Sequence, residues 1–304
     1  MEFLVGTRFN FLGHRRAAFI LSAILIVAGA ISLVAHGGPE FGIDFEGGTL
    51  LQVQLERPID VQSIRDALAD AGVGGAEIQR FGGNREAIIR VQQAEEGTDL
   101  TGAILEALSE ADPGNRADVR REELVGPTVG RELRTKATNA ILIALVLILA
   151  YISLRFEFKF AVGAVAALVH DVAITLGMFS LTGREISLPV IAAFLTIVGY
   201  SLNDTIVIYD RIRENRRKLY GKSFTDIVNK SLNESLSRTV VTSLTTLLVV
   251  LCLFFFGGEV IKDFAFALMV GVIVGTYSSL YVASPLVVEW QIHADARKRK
   301  RHKK

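Results

Sequence analysis

Six apolar runs limit what this chain can become. They lie at 17–35, 137–154, 160–181, 188–209, 240–256 and 264–288. Each is close to the ~17–25 residues an α-helix needs to cross a bilayer. Hydrocarbon offers no water to the backbone, so runs of this length are read as helices that satisfy their own hydrogen bonds. With 50% hydrophobic residues among 304 and a positive mean hydropathy, the composition agrees. The expected fold is therefore a polytopic α-helical membrane protein with six transmembrane helices.

Arg15 and Arg16 precede the first run, as in a signal peptide. Its apolar core is about 19 residues, longer than a signal core, and no small-x-small cleavage site follows, so it is expected to be retained. A single cysteine, Cys252, excludes an intrachain disulfide and says nothing about redox compartment. The net charge of +1 is less informative than its distribution. Arg8, Arg15 and Arg16, then Arg155 and Lys159, then "RIRENRRKLYGK", then the tail "RKRKRHKK" all fall on one side if spans alternate. The short loops opposite carry only Arg184 and Lys262. The positive-inside rule then places both termini in the cytoplasm and residues 37–136 outside. The tail reads as a topogenic segment beside lipid, with a negatively charged partner such as a ribosome as the alternative.

Four parts follow: 1–36, the cytoplasmic N-terminus and first span; 37–136, an extracytoplasmic domain; 137–290, a five-helix bundle; and 291–304, a basic tail. Within 37–136, strand-like segments at 49–55, 77–81, 87–92 and 117–126 are interleaved with amphipathic helices at 59–72 and 99–112. The order β-α-β-β-α-β is the ferredoxin-like pattern, a small α+β domain. The glycines and carboxylates of "FGIDFEGGTLL", Asp44 and Glu46 among them, lack P-loop or metal-loop spacing and read as a turn feeding the first strand. Gly271 and Gly275, followed by Thr276, Ser278 and Ser279, read as close helix packing.

Ionisable residues interrupt the apolar runs at three places: His170-Asp171 in span three, Asn203-Asp204 in span four, and Arg238 at the entry to span five. Each costs about 2.5–3.5 kcal/mol at a helix centre and needs a partner inside the bundle. Span five is short if it begins at 240, so it is expected to begin near 232 or 233. Asp204 and Arg238 then lie at similar depth and are candidates for a pair. Thr196, Tyr200 and Asn203 on span four, and Arg238, Thr242 and Thr245 on span five, recur at helical spacing as partly polar faces. Two readings stay open on spacing alone. One is a static ion pair locking two helices. The other is a carboxylate that exchanges a proton, with burial favouring its neutral form and Arg238 its charged form. No Ser-His-Asp order, HExxH or GxGxxG appears, so no motif supports an enzyme or a metal site.

The stretches "FGIDFEGGTLLQV", "VGPTVGRELRTKA", "HDVAITLGMFSLTGREISL" and "TIVGYSLNDTIVIYDRIREN" resemble the SecF family, part of the resistance-nodulation-division superfamily. The resemblance covers nearly the whole chain. It implies a bacterial inner-membrane protein that works with SecD beside the SecYEG channel and the SecA motor, with YajC and YidC as further partners. The substrate would be an unfolded preprotein, with no nucleic acid involved. It also implies coupling of proton influx to movement of outer domains, with protons as the coupling ion and no organic cofactor. Asp204 of the Asn203-Asp204 motif and Arg238 match the family's proton-path positions, and His170-Asp171 matches its span-three motif. One charge crossing 100 mV releases about 2.3 kcal/mol, so the outer domain is expected to be loosely docked. The alternatives are a proton-coupled small-solute exporter of the same superfamily and a passive scaffold.

Overall fold

The computed structural model describes residues 4, 6–58, 60–73, 76–81, 83–91, 100–258 and 261–301. Residue 59 of the first expected outer helix, Gly82 of the hairpin turn, residues 92 and 99, and residues 302–304 of the tail lie outside the described residues.

Among the described residues six helices are long and apolar enough to cross a bilayer, and the chain is a multi-pass membrane protein. A short 3₁₀ turn leads into α1 (Arg15–Ala35). After the outer segment come α5 (Pro127–Arg155), α6 (Phe158–Leu181), α7 (Leu188–Lys218) and α8 (Phe224–Phe256). The sixth span is not one regular helix. It is α9 (Lys262–Ser278), a π-turn (Ser279–Ala283) and α10 (Ser284–Arg301). Two expected boundaries are corrected. The helix that carries span five starts well before 232, because Ser223 accepts from the Asp226 N–H at 3.1 Å and caps a turn whose Ile227, Val228 and Leu232 are buried. The last helix continues through the basic tail to Arg301.

Small residues set how close the helices come. A Cβ on Gly29 of α1 would meet Cα of Gly177 of α6 at 2.7 Å, and the reverse is also true. Beside this crossing the Ser32 and Ser180 hydroxyls hydrogen-bond at 2.8 Å. At one end of the bundle Phe156, Phe160, Tyr209, Ile212, Val228 and Val287 share a core. That end is rimmed by Arg15–Glu289 at 2.7 Å, Arg155–Asp210 at 3.1 Å and an Arg216–Glu157 pair. At the opposite end Phe179, Phe194, Ile197 and Phe266 pack together, with an Arg184–Asp263 pair nearby.

The outer segment holds a four-stranded sheet made from β1 (Gly48–Leu55), β2 (Glu77–Phe81), β3 (Glu86–Val91) and β4 (Ala117–Val125). All pairings are antiparallel and the order is β2-β3-β1-β4. That order fits the ferredoxin-like pattern. Helices α3 (Val61–Asp70) and α4 (Leu100–Ala111) cover one face, burying Leu51, Val53 and Ile89 against Ile64, Leu68, Ile104 and Leu108. Asp60 caps α3 through the Gln62 N–H at 3.1 Å, and Gly72 at φ +80° ends it.

A one-turn helix, α2 (Ile43–Glu46), fixes this sheet to the bundle. Phe45 sits in the apolar core of the opposite end with Phe179 and Val190. Asp44 Oδ2 accepts from the Leu188 N–H at 2.8 Å, satisfying an amide in the first turn of α7. The backbone pairs as Gly42 N to Ile186 O at 3.0 Å and Ile186 N to Glu40 O at 2.8 Å. Gly47 and Gly48, at φ +81° and +132°, turn the chain into β1. A Cβ on Gly130 of α5 would come within 2.9 Å of the Phe45 carbonyl, so α5 also closes on this joint.

Candidate functional site

The ionisable residues fall into two clusters linked by one helix. The first surrounds Asp171 on α6, which is fully buried. Its Oδ1 faces His170 Nδ1 at 2.9 Å. Its Oδ2 accepts from Ser201 of α7 at 2.6 Å and from Ser278 of α9 at 2.8 Å. The network continues from His170 Nε2 to Ser22 of α1 at 2.9 Å, from Ser22 to the Tyr277 hydroxyl at 3.1 Å, and from Tyr277 to the Ala18 carbonyl at 2.7 Å. When the ring carries both protons, every contact has one donor: Nδ1–H to Asp171, Nε2–H to Ser22, Ser22 to Tyr277, and Tyr277 to Ala18. Four helices thus converge on the His170–Asp171 pair, whose side-chain polar atoms all have partners.

The second cluster surrounds Asp204 on α7, which is partly buried. Its Oδ1 accepts from Thr239 of α8 at 2.5 Å, and its Oδ2 accepts from Ser279 at the head of the π-turn. Hydrogen bonds to a charged group contribute about 1.5–3 kcal/mol each. Two of them roughly offset the insertion cost of the carboxylate. Asp204 is thus held by two hydroxyls alone, where Asp171 has an imidazole and two hydroxyls.

Arg238 is placed differently from the expected pair. It is exposed on α8 and lies beyond salt-bridge distance of Asp204, acting on it only through space. The neighbouring residue, Thr239, points inward and makes the contact. One residue is about 100° of rotation on a helix, which explains how the depth can match while the face does not. Asn203, Thr196, Thr242 and Thr245 are also exposed, so the polar stripes on α7 and α8 face out of the chain rather than into it. Thr245 turns its hydroxyl onto its own helix, to the Val241 and Thr242 carbonyls. Tyr200 is half-buried, and its hydroxyl is enclosed without a partner among the described residues.

Ser201, Thr239, Ser278 and Ser279 were not legible as carboxylate partners, nor Ser22 as the partner of His170. Hydroxyls are common in membrane helices, where they usually bond their own backbone. The signal that could have found them is helical phase. Ser201 lies one turn before Asp204 and therefore on a neighbouring face. Gly271 and Gly275 explain how Ser278 and Ser279 get there. A Cβ on Gly271 would strike the Ile197 side chain at 2.3 Å, and one on Gly275 would meet Ser201 Cβ at 3.1 Å. That close approach delivers the end of α9 between the two carboxylates. Among the described residues no group of three or more His, Cys, Asp or Glu is arranged to hold a metal.

Comparison with known proteins adds an independent line. Residues 104–293 match the family model described as "Protein export membrane protein SecD/SecF, C-terminal", and residues 33–59 match "SecD/SecF GG Motif". The chain is 52% identical over 290 residues to "Protein translocase subunit SecF" of Desulfurispirillum indicum, covering 92% of this chain and 91% of that one. It is 45% identical over 295 residues to "Protein translocase subunit SecDF" of Thermus thermophilus, covering 95% of this chain and 39% of that one. The crystal structure of SecDF from Thermus, titled a translocon-associated membrane protein, superposes with a TM-score of 0.85 at 45% identity. A second, titled "SecDF in Super-membrane-facing form", gives 0.72 at 43% identity. The chain spans about two fifths of each of these SecDF chains.

Proposed function

The chain belongs to the SecD/SecF family of protein-export membrane proteins and is an accessory subunit of Sec export, and from this we propose that it couples proton influx to late, outer-side steps of preprotein translocation. The observation that carries the coupling is Asp204. It is a carboxylate inside an apolar span, held by one hydroxyl from each of two other helical segments, with an exposed cation on the neighbouring helix. A static lock would not need that arrangement. Full burial and a full donor set, as at Asp171, serve a lock better.

The partner is a SecD-type subunit. The fused SecDF relatives carry such a half in the same chain. The outward polar stripe of Asn203, Arg238, Thr242 and Thr245 supports this, since polar groups at membrane depth need protein or water to face. SecYEG and SecA complete the machine, with YajC and YidC as further associates and an unfolded preprotein as cargo. The membrane is the bacterial inner membrane. The basic ends of α5, α7 and α10 lie in the cytoplasm and the sheet lies outside. The role is non-enzymatic, and the coupling ion is the proton.

The energy scale is adequate. One proton crossing about 100 mV supplies about 2.3 kcal/mol, which shifts a two-state equilibrium roughly fiftyfold. The test is reconstitution of the full chain with a SecD-type partner, SecYEG and SecA in sealed vesicles, followed by preprotein import under an imposed proton-motive force. With Asp204→Asn, the force-dependent gain is expected to disappear while the complex still assembles. An undiminished gain would refute the coupling. Loss of assembly alone would favour a scaffold.

A further inference from the structure

Two consecutive hydroxyls on one backbone segment serve both membrane carboxylates. Ser278 donates to Asp171 Oδ2 at 2.8 Å, and Ser279 donates to Asp204 Oδ2. The carboxylates belong to different helices, α6 and α7, and a single helical turn could not reach both if α9 stood further off. The close approach at Gly271 and Gly275 makes it possible.

Each serine also has a second acceptor within reach on its own helix. Ser278 Oγ lies 3.2 Å from the Gly275 carbonyl, and Ser279 Oγ lies 3.0 Å from the Thr276 carbonyl. A hydroxyl has one proton to donate, so each serine chooses between its carboxylate and its helix. The segment that carries them also departs from a regular α-helix where α9 gives way to the π-turn. Ser279 opens a π-turn, a geometry that is rare, marginal against the α-helix and common at functional sites. The π-turn is held by one local bond and one from α7: Ser284 Oγ donates to the Ser279 carbonyl at 3.0 Å, and the Tyr209 hydroxyl donates to the Ala283 carbonyl at 3.4 Å.

We propose that the Ser278–Ser279 pair is a positioning element that links the protonation of Asp204 to the hydrogen bonding of Asp171. This rests on the proton-exchange reading of Asp204. A carboxylate accepts from both Thr239 and Ser279. When Asp204 takes up a proton, one of its oxygens becomes a donor and the pull on Ser279 weakens. Ser279 then turns to the Thr276 carbonyl, the adjacent peptide follows, and Ser278 moves from Asp171 toward Gly275. Loss of the proton reverses the sequence. The other titratable groups around the pair are His170 on Asp171, Arg238 near Asp204, Tyr277 in the His170 chain, Tyr281 in the π-turn stacked on Tyr277, and Tyr209 of α7 against the π-turn. None of them contacts both carboxylates.

Infrared difference spectroscopy of the full chain in lipid, recorded across a pH titration, tests this. Asp204→Asn and Asp171→Asn assign the two carboxyl signals. In the unaltered chain the Asp171 signal is expected to shift as Asp204 titrates. Ser278→Ala and Ser279→Ala should each reduce that shift to baseline while Asp204 still titrates. Ser279→Cys, a poor donor of similar size, should do the same and covers any loss of folded protein with alanine. Thr239→Ala takes a hydroxyl from Asp204 and none from Asp171, and should leave the shift in place. An Asp171 shift of full size without either serine hydroxyl, or no shift in the unaltered chain, overturns the linkage alone. An Asp204 that does not titrate overturns the proton reading and the linkage with it.

Discussion

At the scale of single residues, Asp171 and Asp204 show that two carboxylates in one membrane bundle can have different work. Asp171 has an imidazole and two hydroxyls and no exposure, whereas Asp204 has two hydroxyls and partial exposure. A buried donor or acceptor left without its partner costs about 1–3 kcal/mol. Asp171→Ala should therefore lower stability by about that amount in thermal or chemical unfolding of the detergent-solubilised chain. Asp204→Asn keeps size and one acceptor, and should change stability by no more than about 1 kcal/mol. A similar loss for both would mean that Asp204 is structural too. Both acids and His170 could be read from sequence because a charge in an apolar run is rare. Their serine and threonine partners could not, because which hydroxyl meets which carboxylate is fixed by helix packing. Arg238 shows the limit from the other side. Its depth was readable from span length, but its rotation, one residue away from Thr239, was not.

At the scale of elements, glycines decide where helices touch. Adding bulk to a packed contact usually costs about 1–3 kcal/mol. Gly275→Leu should cost at least that and, by pushing α9 from α7, should also impair proton-dependent export. Gly29→Leu should separate α1 from α6 with a similar loss of stability, read by the same unfolding assay. Export that survives Gly275→Leu would show that the α7–α9 approach is not needed for function. In the outer sheet, the Ser63 hydroxyl, helped by the Gln62 N–H, holds the Asp60 carboxyl below the ordinary carboxylate range. A lowered value means that this contribution to α3 is present above the ordinary carboxylate range and fades as pH falls through the lowered one. Amide exchange in the first turn of α3 should accelerate over that acidic interval, and Asp60→Ala should remove the pH dependence. Six spans and the β-α-β-β-α-β order were legible because hydropathy and periodicity are local. The start of α8 and the stop of α10 were not, since both helices run beyond the bilayer there, where capping and end-to-end packing replace hydropathy. The π-turn left no local signal beyond the serines themselves.

At the scale of the whole molecule, the sheet meets the bundle through α2 and the loop between α6 and α7. Asp44 on the Leu188 N–H, paired backbone at Gly42 and Ile186, and an Arg90–Glu185 ion pair make up the joint. The joint therefore seats the sheet on the same end of α7 from which the chain runs down to Asp204. Arg90→Glu or Glu185→Arg alone should broaden the distance distribution between spin labels on β4 and on α7, and the double charge swap should narrow it again. No change in the single variants would mean that α2 alone holds the sheet. The most direct measurement is proton entry into sealed vesicles that hold the full chain and a SecD-type partner, followed with an enclosed pH-sensitive dye under an imposed gradient. The expected result is uptake above the leak of empty vesicles in the unaltered chain and uptake equal to that leak in Asp204→Asn. Equal uptake in both, above the leak, would contradict a proton path through Asp204.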